Sequence, residues 1–462
     1  MQPAPTILAE LEDYIAREGL SISQFAERSG IHSGTLSNML HGRRPIAMQQ
    51  LDRIIRAMGL AEGYYYDLYI DDYIVDGSFN WRRVGPFLQR CAELGKLDSI
   101  QRVIRIVSDN LSYLPALFDT AEELYAEGRS EAAALLYECV AESEKYQHSE
   151  RLALCQYRLF RIRLCDNQDT NLRIANQFES YVERLDEADQ LDALKHLADV
   201  FASLHRWGKV DELGDRLGRK SDIQYKYRKK KKVQKQPDRP LIYYKLYAYL
   251  LRAAACDETG DHIRALHFVS LYSDMSWVEL PASKEEAKVM EQFKEWATAN
   301  SYLYRLTAGD IEIIPEYINY VESRENEIFP ALFKIIQAAN RYSLNVDDIL
   351  LRFDSHLLYR EQSSRLAKFN QQLTGDRYTQ FLIELAVYFL RKEKWTNGFF
   401  YLMSSLESSI KIKSDSYIVK CVGLFEKYRS AAVQQQKNEY ANLIGEVQRI
   451  NEEKDGYMVS LS

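Results

Sequence analysis

Apolar residues recur every three or four positions along most of the chain, which is the spacing of amphipathic α-helices rather than of strands. Near the amino end, Thr6–Arg17 and Met48–Met58 each carry one apolar stripe. The stripes consist of Ile7, Leu8, Leu11, Tyr14 and Ile15 in the first segment, and of Leu51, Ile54, Ile55 and Met58 in the second. Only 10 of the 462 residues are proline and 20 are glycine, so few residues interrupt helices. The pattern predicts an all-α protein.

The segment between these two helices, Ser21–Pro45, predicts a pair of short helices joined by a turn. Ser21 is a typical N-cap residue, and Gly30 can end the first helix in the left-handed conformation. Leu36 and Met39 are three positions apart, so both would face the core from the second helix. That helix would cover Ser33–Leu40, with His32, Ser33, Gly34, Ser37 and Asn38 facing outward. The alternative is a polar, solvated helix in an ordinary helical bundle.

This segment resembles the helix-turn-helix core of phage-repressor-type DNA-binding domains. The resemblance implies that Ser33 and Asn38 read base edges in the major groove. Two hydroxyls, those of Thr35 and Ser37, would contact phosphates, and the arginines after the helix would bind phosphate oxygens through their guanidinium groups. The predicted DNA-binding residues are therefore His32, Ser33, Thr35, Ser37, Asn38, Arg43 and Arg44.

From Trp81 onward one theme repeats: a helix ends in a small turn, and a second helix begins a few residues later. The predicted turns contain Gly95, Gly128, His205, Gly260, Gly309 and Glu393. These pairs resemble the helical hairpins of tetratricopeptide repeats, whose period is ~34 residues, but their irregular spacing makes them degenerate. Each hairpin has two apolar faces, so neighbours would stack into a right-handed superhelix of roughly six to nine hairpins with a concave side.

These patterns divide the chain into four predicted regions. They are a helix-turn-helix DNA-binding domain at 1–62, an aromatic and acidic linker and docking segment at 63–80, a tetratricopeptide-like peptide-binding superhelix at 81–420, and a C-terminal helix at 421–462. The linker carries five tyrosines, which a solvated linker would not. The last region has an apolar stripe from Tyr440 to Ile450 that could pack on a second subunit, as a dimerisation element, or on its own chain.

Charge and cysteine content narrow the classes of partner. The chain has 60 Lys and Arg against 67 Asp and Glu, a net charge of −7, so it is no general polyanion binder. Residues 1–63 hold six basic and seven acidic residues, so DNA affinity would depend on local geometry and on two copies acting together. Six scattered cysteines, no secretory signal and no long apolar run predict a cytoplasmic protein without a membrane span.

Motifs of catalytic or metal sites do not occur in the sequence. It has no phosphate-binding loop of the G-x-x-x-x-G-K-[ST] type and no His-Glu-x-x-His, so we expect no enzyme activity, no cofactor and no metal. His262 and His267 are five positions apart, a poor helical spacing for a shared metal, and are interpreted as packing or groove residues. A basic run at 226–239 is either a solvated loop or an auxiliary phosphate contact.

A repressor-type helix-turn-helix followed by degenerate tetratricopeptide hairpins resembles the RRNPP family of peptide-pheromone receptors, in particular arbitrium-type receptors and their bacterial relatives. The resemblance implies a homodimer that binds a two-fold symmetric operator, and a short signalling peptide that changes the spacing of its two DNA-binding domains. Residue type suggests Arg264, His267, Asn300, Tyr304, Arg305, Asn340 and Arg341 as peptide contacts, with ordinary hairpin packing as the alternative for each. The alternative function is a scaffold that sequesters a partner protein.

Overall fold

A computed structural model describes residues 6–75, 80–108, 110–165, 167–228, 235–279, 283–357 and 367–454. Every regular element in these ranges is helical and none is a strand, so the predicted all-α class is confirmed. No helix within them is long and apolar enough to cross a membrane. The chain divides into two compact units, Met1–Leu164 with Asn176–Asp186 and Cys165–Ala175 with Glu187–Ser462.

The first unit consists of short helices around one core. They are α1 (Ile7–Arg17), α2 (Ile22–Ser29), α3 (Ser33–Leu40), α4 (Met48–Ala57), α5 (Tyr66–Tyr69), α6 (Trp81–Glu93), α7 (Leu97–Val107), α8 (Leu114–Ala126), α9 (Ser130–Ser143) and α10 (Glu150–Arg163). The division between the units falls within α11 (Gln168–Glu179). One hydrophobic cluster includes Ile7 and Leu36 as well as Phe87 and Leu136. The helix-turn-helix segment therefore shares its core with the hairpins that follow, and a separate domain ending at residue 62 stays a prediction.

The tyrosine-rich segment at 63–80 forms two short helical elements. α5 is followed directly by a π-helix over Ile70–Val75, and residues 76–79 lie outside the described ranges. Tyr65, Tyr66 and Tyr69 are buried, Tyr73 is half-buried and Tyr64 is exposed. The ring of Tyr69 stacks on that of Phe87 in α6, with centroids 5.4 Å apart. This segment is thus part of the core of the first unit.

Three hydrogen bonds join the tyrosine-rich segment to the predicted DNA-binding domain at 1–62, outside the two helices of the helix-turn-helix itself. They run from Ile7 N to Asp72 Oδ2 at 2.8 Å, from Tyr66 Oη to Asp52 Oδ1 at 2.8 Å, and from Tyr69 Oη to Ile46 O at 3.0 Å. Burial raises the pKa of both tyrosine hydroxyls, and the bond to Asp52 raises that of Tyr66 further. Both hydroxyls therefore remain protonated donors at physiological pH.

The second unit contains longer helices. They are α12 (Glu187–Ser203), α13 (Trp207–Tyr227), α14 (Leu241–Glu258), α15 (His262–Ser273), α16 (Lys284–Thr307), α17 (Ile314–Val321), α18 (Glu325–Tyr342), α19 (Asp347–Arg352), α20 (Ala367–Arg391), α21 (Trp395–Lys411), α22 (Asp415–Tyr428) and α23 (Gln434–Lys454). Fully buried aromatic residues such as Phe293, Tyr317 and Phe399 belong to its apolar clusters. Neighbouring helices pack as hairpins, and their identity as tetratricopeptide repeats stays a prediction.

The six predicted turns are confirmed, and each contains a residue in the left-handed conformation. These residues are Gly95, Gly128, His205, Gly260, Gly309 and Glu393, with φ between 53° and 103°. Each joins two consecutive helices. After the last turn, a Cβ on Gly398 would lie 2.7 Å from the side chain of Leu390, so only glycine allows α20 and α21 to approach this closely. Local sequence therefore sets where each hairpin bends.

A buried carboxylate joins α12 to α14 in the second unit. Asp192 is 5% exposed and accepts hydrogen bonds from the Tyr244 hydroxyl and from the backbone N–H of Asp238, the latter at 3.0 Å. Burial raises the pKa of the Asp192 carboxyl to about 6, although both hydrogen bonds act to lower it. Ionised Asp192 consequently costs folding free energy at neutral pH.

The C-terminal region is two helices rather than the single predicted helix. α22 ends at Tyr428 and α23 begins at Gln434. The ring of Tyr440 stacks on Phe425 with centroids 3.8 Å apart, and the apolar stripe packs, partly buried, on the same core. The stripe comprises Leu443, Ile444, Val447 and Ile450. These contacts favour packing on its own chain, and a role in dimerisation stays a prediction.

Candidate nucleic-acid interface

The first helix of the pair, α2, is fixed at both ends by local hydrogen bonds. Ser21 Oγ accepts from the backbone N–H of Gln24 at 3.2 Å, while Gln24 Oε1 accepts from the N–H of Ser21 at 2.8 Å. This reciprocal capping box satisfies two N–H groups that a helix start leaves free. Gly30 ends the helix with φ 67°, and its carbonyl accepts from Arg53 in α4 at 3.0 Å. Arg53 therefore ties the end of α2 to α4.

The second helix, α3, has one buried and one exposed face, as predicted. Leu36 and Met39 are fully buried, while Ser33 and Asn38 are exposed. Thr35 and Ser37 are half-buried along the edges of the exposed face. An exposed face of short polar side chains is suited to hydrogen bonding with base edges, because no long side chain blocks close approach.

His32 combines exposure with a structural contact that the sequence did not predict. Its Nδ1 accepts a hydrogen bond from the N–H of Gly34 at 3.3 Å, so the imidazole caps α3. A Cβ on Gly34 would lie 3.5 Å from that ring atom, which is ordinary contact distance. His32 thus orients the start of the helix, and direct contact with DNA stays a prediction for it.

The two arginines after α3 leave the helix through a tight turn. Gly42 has φ 66°, and the backbone N–H groups of Arg43 and Arg44 both donate to Asn38 O, at 2.9 and 3.1 Å. Their side chains are exposed, and neither guanidinium forms an ion pair or hydrogen bond with a residue in the described ranges. The structure therefore places all seven predicted DNA-binding residues on α3 and its two flanks. Two free cations lie at the C-terminal end of that helix.

Residues 11–65 match a helix-turn-helix family. The matched segment contains all seven of these residues and ends inside the tyrosine-rich segment. It indicates a DNA-binding transcription regulator, since this family comprises DNA-binding regulators rather than enzymes. A search with the whole chain finds no curated protein that matches it.

The residues predicted to hold a peptide lie in the second unit and are spread over α15, α16 and α18. Most of them have partners within the unit. Arg264 pairs with Asp261 at 3.6 Å, Asn300 donates to Tyr272 Oη at 2.9 Å, Arg305 pairs with Asp310 at 2.6 Å, and Asn340 donates to Glu384 Oε2 at 2.7 Å. Tyr304 is buried, whereas His267 and Arg341 are exposed. Tyr304 is therefore a core residue, while the other six reach the surface or a partly buried position.

Two surface depressions in the second unit each include one of these seven residues. The larger, of about 650 Å³, lies between α15 and α16 and is lined by Arg305 together with Ser270, Lys294 and Thr298. The smaller, of about 250 Å³, is lined by Arg341 together with Gln337, Lys334 and Glu384. The predicted peptide residues therefore do not converge on one of these two depressions.

The smaller depression contains a polar cluster that the sequence did not reveal. Asp257 is buried and accepts from Thr307 at 2.7 Å and from Lys334 at 3.2 Å, and it contacts His262 Nδ1 at 2.9 Å. His262 is therefore a partner of a carboxylate, consistent with its interpretation as a packing or groove residue. No group of three or more His, Cys, Asp and Glu side chains in the described ranges is placed to hold a metal ion. The members lie up to 77 positions apart, so spacing gave no indication of them.

The basic run at 226–239 is described only at its two ends, because residues 229–234 lie outside the described ranges. Arg228 pairs with Glu279 at 2.9 Å, and Lys235 pairs with Asp189. The described ends thus bind acidic residues of their own unit. A contact between this run and DNA stays a prediction.

Proposed function

We propose that the chain binds a two-fold symmetric operator as a homodimer and that a short signalling peptide controls this binding. The exposed polar face of α3, followed by the free guanidinium groups of Arg43 and Arg44, is the observation that supports operator binding. A dimer would present two copies of α3, which would have to lie one DNA turn, ~34 Å, or a multiple apart. A peptide that prefers one conformation of the dimer would change that spacing and so the affinity for the operator.

A mobility-shift assay with fragmented genomic DNA tests the operator. We expect selection of a two-fold symmetric site with a Kd of about 10⁻⁸ M or lower. Asn38→Ala combined with Arg43→Ala should abolish the shift, because one base contact and one phosphate contact are lost per subunit. The control pair is Gln101→Ala with Arg105→Ala, which removes the same charge from the exposed face of α7.

Failure to find any sequence-selective site, over a range of salt concentrations, would refute the operator proposal. An unchanged shift with the Asn38 and Arg43 double variant would refute the assignment of α3 as the reading helix. The scaffold alternative would gain support if wild type and this double variant captured the same protein in equal amounts.

The smaller depression supports peptide binding more strongly than the larger one. Its lining offers both hydrogen-bond donors and acceptors, which an extended peptide backbone requires. Beside it, Asn340 Oδ1 is buried and accepts no hydrogen bond from any residue in the described ranges. The amide of the same side chain donates to Glu384, which lines the depression. A peptide N–H would reach this oxygen only after the Asn340 side chain turns towards the depression, and the new hydrogen bond would then offset part of the cost of leaving the oxygen unpaired.

A library of synthetic hexapeptides, screened by the shift in thermal unfolding of the full chain, tests this part of the proposal. For the best peptide, Arg341→Gln should weaken binding at least several-fold, since it removes a cation that lines the smaller depression. The matched control is Arg305→Gln, which makes the same change in the larger one. Weakening by Arg305→Gln alone would contradict the location, and a library without any binder would contradict peptide control.

A further inference from the structure

A surface depression in the first unit lies between the helix-turn-helix and the helical body, by which we mean the helices of this unit from α6 onward. It has a volume of about 390 Å³ and lies beside the loop between α3 and α4. Pro45, Ala47 and Gln49 line it from the helix-turn-helix side, and Asn80 and Arg82 line it from the start of α6. The loop is the one that carries Arg43 and Arg44, so Arg82, the first basic residue of the helical body, lines a depression that also reaches this loop.

Arg82 presents a cation that pairs with no residue in the described ranges. Its side chain is exposed and forms no ion pair, hydrogen bond or ring contact with any residue of the described ranges. The neighbouring Arg83, in contrast, donates to the carbonyl of Tyr73 at 2.7 Å and lies over the Tyr73 ring. Two adjacent arginines thus differ: Arg83 ties α6 to the π-helix, while the Arg82 guanidinium faces solvent.

The position of Arg82 relative to the α3–α4 loop is fixed by buried contacts. The Ile46 carbonyl in the loop accepts from Tyr69, and the Tyr69 ring stacks on Phe87, one and a half turns after Arg82 in α6. A second connection runs from Arg90 Nε in α6 to Asp52 Oδ2 in α4 at 2.9 Å, with both side chains mostly buried. The loop and the start of α6 therefore act as one rigid surface.

The amino-terminal segment has no net positive charge, so binding to DNA phosphates would be strengthened by cations from outside it. Residues 1–63 carry six basic and seven acidic residues, and after Arg56 the next basic residue is Arg82. DNA affinity that depends on phosphate contacts needs local positive charge, which the helix-turn-helix supplies mainly through Arg43 and Arg44. A rigidly held cation beside that loop adds to the same local field.

We propose that the DNA interface extends past the helix-turn-helix onto the helical body, where Arg82 binds a backbone phosphate next to those contacted by Arg43 and Arg44. This inference rests on the proposed operator binding. The contact positions the body of the protein on the duplex and carries no sequence information, because phosphates are the same at every base pair.

The test is the salt dependence of affinity, measured with the full chain on its selected operator and on a scrambled duplex between 50 and 200 mM KCl. The slope of log K against log salt is negative, and Arg82→Gln should make it less steep by about 0.9 for each phosphate contact that is lost. For one contact, the ratio of wild-type to variant affinity then shrinks about 3.5-fold across this range, equally on both duplexes. Arg82→Lys should keep the slope of the wild type, because it keeps the charge.

The matched control is Arg129→Gln, which removes an exposed arginine in the turn between α8 and α9 of the same unit. An Arg82→Gln slope equal to that of the wild type would overturn the inference while leaving operator binding intact. The inference would also be overturned if Arg129→Gln reduced the steepness of the salt dependence as much as Arg82→Gln does. The same holds if Arg82→Lys reduced it as much as Arg82→Gln. A wild type that binds no duplex would instead refute the proposed function. Thermal unfolding of each variant confirms that it is folded.

Discussion

Removal of one hydroxyl tests how firmly the helical body holds the loop after α3. In Tyr69→Phe the ring remains and can keep its stacking on Phe87, but the hydrogen bond to the Ile46 carbonyl is lost. Tyr69 and Ile46 are both fully buried, so water has little access to replace the donor. A buried carbonyl without a partner costs about 1–3 kcal/mol, and this is the expected loss of stability.

Amide hydrogen exchange shows which part of the chain loses stability in Tyr69→Phe. A cost of ~1–3 kcal/mol corresponds to exchange roughly 5- to 150-fold faster for amides of the 43–48 loop and the first turn of α4. The matched control is Tyr64→Phe, whose side chain is 61% exposed and which should change stability by less than about 0.5 kcal/mol. Unchanged protection of the loop in Tyr69→Phe would refute the view that the body fixes it.

Two further predictions concern single side chains. Ser21→Ala should destabilise the chain by about 0.5–2 kcal/mol through loss of the α2 cap, whereas Ser23→Ala, exposed in the same helix, should have a smaller effect in the same urea titration. Asp192→Asn should remove a pH dependence of stability, because the folded pKa of about 6 lies above the ordinary 3.8 and burial of the charged form costs free energy. Folded wild type binds more protons between pH 4 and 6, so its stability relative to the variant falls as pH rises through that window, by up to ~3 kcal/mol. Unfolding midpoints that differ equally at pH 4 and pH 7.5 would contradict this.

The features that the sequence predicted are those determined by neighbouring residues. Ser21 caps the residue three positions on, Gly30 ends its own helix, and Leu36 and Met39 share a face by helical spacing. The turns followed the same rule, because a left-handed residue between two apolar stripes is a local property. These features account for the helix-turn-helix and for the hairpins.

Features that depend on distant pairs were not predictable. Tyr69 finds its acceptor 23 residues earlier in the chain, so five tyrosines within ten residues indicated docking but not the partner. Residue type likewise suggested Asn300 and Asn340 as peptide contacts, yet both amides donate to side chains of their own unit. Arg82 follows a segment that looked like a linker, and only the packing of α6 reveals it beside the loop.

The hydrogen bond from Ile7 to Asp72 has a consequence for swapping recognition specificity between regulators of this kind. A chimera spliced at residue 62 would lose Asp72, Tyr66 and Tyr69. These residues hydrogen-bond to the start of α1, to α4 and to the loop before α4, respectively, in the transferred DNA-binding domain. The graft that preserves these anchors extends to Val75, where the π-helix ends. A chimera that exchanges DNA-binding domains should therefore include the tyrosine-rich segment up to Val75.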